Sequence, residues 1–193
     1  MRRLLADPIT FVRGDGVWIE DSAGKRYING LSSLWNVHVG LGREEIVEAV
    51  AEQLRTLSFF SLARAAHPTA IACAKRLVEI APEGLTKVFL SNSGSAAVET
   101  ALKMIRQYAK LTGHPEKQTV ISLDESYHGV SFGALSASGV ASMREPFEPL
   151  LPGFSRIPQP YCYRCPWGKT YPSCELACAD ALDEEIERLG PDT

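Results

Sequence analysis

The sequence predicts an α/β layer fold with a mainly parallel sheet, and three observations lead to this prediction. From residue 86 onward, short apolar runs rich in β-branched residues alternate with segments of helical periodicity. A loop of small residues, 91–95, lies between the first apolar run and its helix. A polar segment with an aromatic ring and an imidazole, 124–129, follows the second run. Alternating strands and helices indicate parallel strands covered by helices.

The sequence before residue 86 has a different pattern, with short strands first and helices after them. Residues 10–30 are predicted to form short strands with turns at 14–16 and 23–24. Amphipathic helices are predicted over 43–57 and over 67–80, the second entered at a His-Pro pair. We therefore expect two parts, an N-terminal small-lobe segment over residues 1–45 and the first part of a large α/β domain over residues 46–193.

The remaining elements follow in order. The pattern predicts strand 86–90, helix 95–112, strand 118–123, a short helix around 129–138, a mostly irregular stretch over 141–173 with an extended piece at 154–158, and helix 174–189, which ends at Gly190-Pro191. Ligands in open α/β sheets bind at the carboxyl ends of the strands, which directs attention to the loops after the first two strands.

The loop Ser91-Asn92-Ser93-Gly94-Ser95 has the composition of an anion site. A loop at a helix N-terminus leaves unpaired backbone N–H groups near the positive end of the helix dipole, which suits a phosphate. The Ser93 and Ser95 hydroxyls add donors, and Gly94 permits close approach of the backbone. An ordinary serine N-cap is the simpler alternative. The loop matches neither a Walker A loop nor a dinucleotide fingerprint.

Tyr127-His128-Gly129 offers a second contact, because Tyr127 could stack on a flat heteroaromatic ring. A half-buried tyrosine and a hydrogen-bonded structural histidine are the alternatives. A ligand with a planar ring and a phosphate arm would satisfy both loops, and pyridoxal phosphate is such a ligand.

With these two motifs the chain resembles the class III (ω-amino acid) aminotransferases, of pyridoxal-phosphate fold type I. The segments that carry the resemblance are Gly16-Val17-Trp18-Ile19-Glu20-Asp21, Leu34-Trp35-Asn36-Val37-His38-Val39-Gly40-Leu41-Gly42, Ser93-Gly94-Ser95 and Tyr127-His128-Gly129. One departure is Ala96, where the family commonly has Glu. The resemblance implies a partial fold type I chain, with an N-terminal small-lobe β-meander and the first part of the cofactor domain. It also implies cofactor contacts by Ser93, Gly94, Ser95, Tyr127, His128 and Gly129, and substrate contacts by Trp35 and Phe60. Core packing remains an alternative for both Trp35 and Phe60.

The resemblance implies a transaminase that moves an amino group from an ω-amino acid or amine donor to a keto acid such as pyruvate. Such chemistry needs a lysine that forms a Schiff base and a carboxylate beside the pyridine nitrogen. In the family both come well downstream, so we expect no catalytic residue in these 193 residues and no activity of this chain alone. The resemblance further implies a homodimer for the full-length form.

Composition narrows the remaining possibilities. The net charge of −3 argues against a nucleic-acid partner. No segment of the sequence has the apolar pattern of a signal peptide or of a membrane span. We therefore expect a cytoplasmic protein.

Four cysteines leave a metal site open. Cys162, Cys165, Cys174 and Cys178 have a spacing that could surround zinc or an iron–sulfur centre, with Cys174 and Cys178 on one helix face. Reduced thiols in a cytosolic loop are the favoured alternative. Three hypotheses therefore stand in this order: part of a transaminase, a cofactor-binding module without turnover, and a metal-stabilised interaction module.

Overall fold

The computed structural model describes residues 8–193, which form two compact units. One unit ends at Leu85 and the other runs over Thr86–Thr193. The predicted boundary near residue 45 falls inside the first unit, and it remains a prediction about the domains of the whole protein.

The first unit begins with the predicted meander. Strands β1 (Phe11–Asp15), β2 (Trp18–Asp21) and β3 (Arg26–Ile28) pair antiparallel in the order β1-β2-β3. The buried Asp21 closes the second turn, because its carboxylate accepts from the backbone N–H groups of Ala23 and Lys25 and from the Tyr27 hydroxyl, each at 2.9 Å. These hydrogen bonds, that from the Lys25 backbone foremost, lower the pKa of Asp21.

A left-handed turn, α1 (Ser32–Trp35), follows the meander. All four residues have positive φ, between 47° and 68°, a conformation that L-residues seldom adopt in succession. Both polar atoms of the Asn29 side-chain amide form hydrogen bonds that hold this turn. Its Oδ1 accepts from the Ser33 N–H at 2.8 Å, and its Nδ2 donates to the Ser33 hydroxyl at 2.9 Å.

Two longer helices complete the first unit close to their predicted bounds. They are α2 (Glu44–Leu57) and α3 (Pro68–Ile80). The Nδ1 atom of His67 accepts from the Ala70 N–H at 3.3 Å and so caps α3. Pro68 occupies the first helical position, where its missing N–H leaves no bond unmade.

The second unit contains the α/β part. Its elements are α4 (Gly94–Leu111), β4 (Val120–Leu123), α5 (Phe132–Ala137), α6 (Ala141–Arg144), β5 (Phe154–Ile157) and α7 (Ala177–Leu189), with short 3₁₀ turns at Glu145–Phe147 and Cys162–Arg164. Strands β4 and β5 are parallel, with Val120 opposite Phe154. The buried apolar side chains lie on α4, α5, β5 and α7: Ala109, Ala134, Leu135, Ala137, Ile157, Ala177 and Ala181. This small core surrounds α5, which follows the loop after β4.

Two sequence predictions are wrong in this unit. Residues 86–90 are predicted as a buried strand but pair with no other strand among residues 8–193, and the Phe89 side chain is 63% exposed. Helix 174–189 begins only at Ala177, because Glu175 and Leu176 adopt left-handed backbone angles. Cys174 therefore precedes the helix and does not share a helix face with Cys178.

Among residues 8–193, no helix combines the length and the apolar character that crossing a membrane requires.

Candidate functional site: a phosphate cradle beside an aromatic loop

The first part of the site is the N-terminus of α4, here called the cradle: Ser93, Gly94 and Ser95. Ser93 is the N-cap, and its Oγ accepts from the Ala96 N–H at 3.1 Å. In the described part of the chain, the N–H groups of Gly94 and Ser95 have no protein acceptor. Because the Ser93 hydroxyl acts as an acceptor here, its own proton is still available to a ligand. The 18-residue helix adds the positive end of its dipole.

Gly94 leaves room for that ligand. A Cβ built on Gly94 would meet no atom within 4 Å. The protein itself therefore gives no steric reason for glycine at this position. The open space beside two free N–H groups has the chemistry of an anion site, so the residues present fit a phosphate.

The second part is the loop that follows β4, here called the platform loop, residues 127–130. The Ser95 Oγ accepts from the Val130 N–H at 3.1 Å and so ties the loop to the cradle. Gly129 is buried against the same serine, since a Cβ on Gly129 would lie 2.6 Å from the Ser95 Oγ. The Tyr127 side chain is 59% exposed, which leaves its ring open to stacking. The structure thus brings together the predicted phosphate and ring contacts.

His128 is held in a network of hydroxyl groups. Its Nε2 lies 3.2 Å from the Ser126 Oγ, which itself donates to the Leu123 carbonyl. The backbone N–H of His128 donates to the buried Ser138 Oγ at 2.9 Å. These contacts give His128 a structural role, and the predicted cofactor contact by its side chain stays a prediction.

Sequence reasoning missed Glu99, which lies one helical turn after Ser95. A single oxygen of its carboxylate, Oε1, accepts from the Ser131 hydroxyl and from the N–H groups of Gly133 and Ala134, at 2.7, 2.8 and 3.1 Å. The hydrogen bond from Ser131 is the main reason that the pKa of Glu99 lies below its ordinary value. The signal was present in the i, i+4 spacing from Ser95, which places both side chains on one helix face.

Arg156 on β5 was also missed. Its Nε donates to the Ser138 carbonyl at 3.0 Å, and its Nη2 donates to the Ser136 carbonyl. Both carbonyls lie at the C-terminal end of α5, where helix carbonyls lack intrahelical partners. Arg156 therefore fixes the far end of the helix whose near end is held by Glu99.

Trp35 and Phe60 belong to the first unit, where their side chains are 69% and 51% exposed. Trp35 closes the left-handed turn and so projects from a defined backbone. Their assignment to a substrate pocket stays a prediction.

The four clustered cysteines are all free thiols. Over residues 8–193, no three His, Cys, Asp or Glu side chains come together as a metal site. The assignment of Cys162, Cys165, Cys174 and Cys178 to a metal site stays a prediction.

Comparison with known proteins agrees with this geometry. The family described as "Aminotransferase class-III" matches residues 4–192. The chain is 48% identical to a probable aminotransferase of Mycobacterium tuberculosis, over 94% of this chain and 39% of that protein. It is 44% identical to an adenosylmethionine-8-amino-7-oxononanoate aminotransferase of Geobacter sulfurreducens, over 94% and 40%. It is 36% identical to a putrescine–pyruvate aminotransferase of Pseudomonas aeruginosa, over 92% and 39%.

Solved structures give the same result. An (S)-enantioselective omega-transaminase from Thermomicrobium roseum superposes with a TM-score of 0.93 at 40% identity, over 100% of this chain and 43% of that one. An amine transaminase from an uncultivated Pseudomonas species, solved in its PLP-bound form, superposes with a TM-score of 0.91 at 37% identity, over 97% and 43%. The chain thus spans about two-fifths of the length of these relatives. The cradle, the platform loop and this likeness along nearly all of the sequence lead to one conclusion: the chain belongs to the class III aminotransferase family.

Proposed function

We propose that the protein to which these residues belong is a transaminase that uses pyridoxal phosphate. It moves an amino group from an ω-amino acid or amine donor to a keto acid such as pyruvate. The observation that supports this most is the hydrogen bond between the Val130 N–H and the Ser95 Oγ. It joins a loop with free anion-binding donors to a loop with an exposed aromatic ring, the two contacts that a phosphorylated pyridine needs.

When bound, pyridoxal phosphate supplies an aldehyde for the amine and a ring that withdraws electrons. The N–H groups of Gly94 and Ser95, with the Ser93 and Ser95 hydroxyls, bind the phosphate. The Ser95 hydroxyl accepts from Val130, so its proton is free to donate to a phosphate oxygen. The Tyr127 ring stacks on the pyridine and excludes water from one of its faces. The Schiff-base lysine and the carboxylate partner of the ring nitrogen are supplied by residues outside these 193.

Trp35 and Phe60 contact the substrate in this proposal. The relatives bear names that differ in the amine donor, adenosylmethionine in one and putrescine in another. The donor of this protein therefore has to be found by assay. We further propose a homodimer in the cytoplasm, as the family resemblance implies.

Binding of pyridoxal phosphate to the natural protein, as purified from its own cells, tests this proposal. Absorbance titration should show tight binding of pyridoxal phosphate and much weaker binding of pyridoxal, which lacks the phosphate. Ser95→Ala should weaken binding of the phosphorylated form by about tenfold, because it removes one hydrogen bond to a charged group. Ser173→Ala is the matched control, since the Ser173 hydroxyl is exposed and donates only to the Thr170 carbonyl.

Turnover is the second half of the test. The natural protein should convert pyruvate to alanine with an amine or ω-amino acid donor, and the 193-residue chain alone should not. Binding without turnover by the natural protein would indicate a cofactor-binding module. Equal affinity for pyridoxal and pyridoxal phosphate would refute the assignment of the cradle.

A further inference from the structure

We propose that Glu99 is a positioning residue that holds the platform loop against the cradle and so sets the separation of the phosphate and ring contacts. This inference rests on the proposed function for its meaning, although its structural part is tested without cofactor.

The Glu99 carboxylate accepts from Ser131, Gly133 and Ala134, all at the start of α5. Ser131 is the N-cap residue of α5, but its side chain makes no capping hydrogen bond within that helix. Glu99 therefore satisfies N–H groups that a short helix leaves without intrahelical partners. The Glu99 carboxylate on α4 thus caps the N-terminus of α5.

Ser95 and Glu99 lie one turn apart on α4, and each bonds to the chain just after Tyr127. Ser95 binds Val130, and Glu99 binds the next residue, Ser131. The platform loop is thus held directly by Ser95, and the start of α5 that follows it is held by Glu99, one turn further along the helix that begins with the cradle. Gly133 makes this approach possible, because a Cβ there would collide with the Glu99 carboxylate.

A carboxylate one turn from a phosphate site repels the phosphate, so the charge of Glu99 does not itself favour cofactor binding. Its hydrogen bonds keep the carboxyl ionised, since they lower its pKa. Glu99 therefore favours binding through the geometry that it imposes on the loop.

Amide hydrogen exchange of the cofactor-free natural protein tests the structural part. Glu99→Ala should raise exchange at Gly133 and Ala134 by about tenfold or more, because their N–H groups lose the acceptor that they share. Exchange at Val130, which donates to Ser95, should rise as well, because the chain that follows it is no longer held. Glu185→Ala is the matched control. Glu185 also accepts from a serine on another element, Ser155 of β5, and from Arg188, but it makes no hydrogen bond to residues 127–134. Unchanged exchange at residues 130–134 in Glu99→Ala would overturn the inference.

Cofactor affinity tests the functional part, and it separates positioning from mere stability. In the unmodified protein, Tyr127→Ala should weaken pyridoxal phosphate binding by about tenfold, since it removes a stacking contact made together with the cradle. In the Glu99→Ala background, Tyr127→Ala should change the affinity by less than about twofold, because the ring is no longer held at the right separation. Glu99→Gln retains an acceptor oxygen, and it should restore most of the affinity.

An equal effect of Tyr127→Ala in both backgrounds would overturn the positioning role. If the natural protein binds no pyridoxal phosphate at all, the proposed function fails, while the exchange measurements still decide whether Glu99 holds the loop.

Discussion

Gly129 shows how closely the two loops of the site approach each other. Its φ is +139°, and an added Cβ would lie 2.6 Å from the Ser95 Oγ and 2.8 Å from the Ala134 Cβ. We expect Gly129→Ala to lower the free energy of unfolding by about 1–3 kcal/mol through overpacking and backbone strain. It should also weaken pyridoxal phosphate binding, because Ser95 has to move. Chemical denaturation and absorbance titration measure the two effects.

Gly84→Ala separates strain from overpacking. Gly84 also has a positive φ, +91°, but a Cβ there would meet no atom within 4 Å. This control should lose stability through backbone strain and leave cofactor affinity unchanged. A Gly129→Ala protein with unaltered cofactor affinity would show that contact between Gly129 and Ser95 does not determine the shape of the cradle.

Glu185 provides a pH-dependent contribution to stability. Its hydrogen bonds from Arg188 and then from Ser155 lower the pKa of the carboxyl from 4.5 to about 2. Because the pKa is lower in the folded state, this contribution is fully present above pH 4.5 and is lost as the pH falls through about 2. Glu185→Gln should therefore flatten the decline in stability over that acidic range. Glu184→Gln, the neighbouring substitution, should leave the decline intact, and a decline unchanged by Glu185→Gln would refute this assignment.

At the scale of single elements, the left-handed turn Ser32–Trp35 depends on Asn29. Asn29→Ala removes two hydrogen bonds at an exposed position and should lower the free energy of unfolding by about 1 kcal/mol. Exchange of the amides over residues 32–37 should rise, since this turn has an unfavourable backbone conformation without its clamp. Asn29→Asp keeps the acceptor for the Ser33 N–H and should lose about half as much. Equal exchange in the unmodified and Asn29→Ala proteins would contradict this role.

The helices could be predicted from the sequence, whereas the absence of strand 86–90 and the hydrogen bonds of two site residues could not. Helices α2, α3 and α4 form within about a residue of their predicted bounds, because periodicity and capping residues such as His67-Pro68 and Ser93 are local signals. Strand 86–90 fails, because a strand needs a neighbour to pair with and local composition does not supply one. Within the site, the cradle and Tyr127 were predicted from short motifs. The i, i+4 spacing places Glu99 on the helix face of Ser95, but the hydrogen-bond partners of Glu99 and Arg156 lie more than 15 positions away, and local signals do not reveal them.

Among the described residues of the whole molecule, many more large apolar side chains are exposed than are buried. On α2, Ile46, Val50 and Leu54 share one face, and each is at least 50% exposed. Apolar faces of this kind bind other protein surfaces, and the relatives are more than twice as long as this chain. We therefore expect the 193-residue chain alone to bind a hydrophobic dye and to associate, as light scattering would measure. Ile46→Glu with Val50→Glu should reduce both effects in the chain alone, because charge replaces apolar surface. If the natural protein covers this face, the same double substitution should destabilise it. The exposed double substitution Glu48→Lys and Glu52→Lys, on the polar side of α2, is the control for charge. A monomeric 193-residue chain that binds no dye would show that these faces need no further partner.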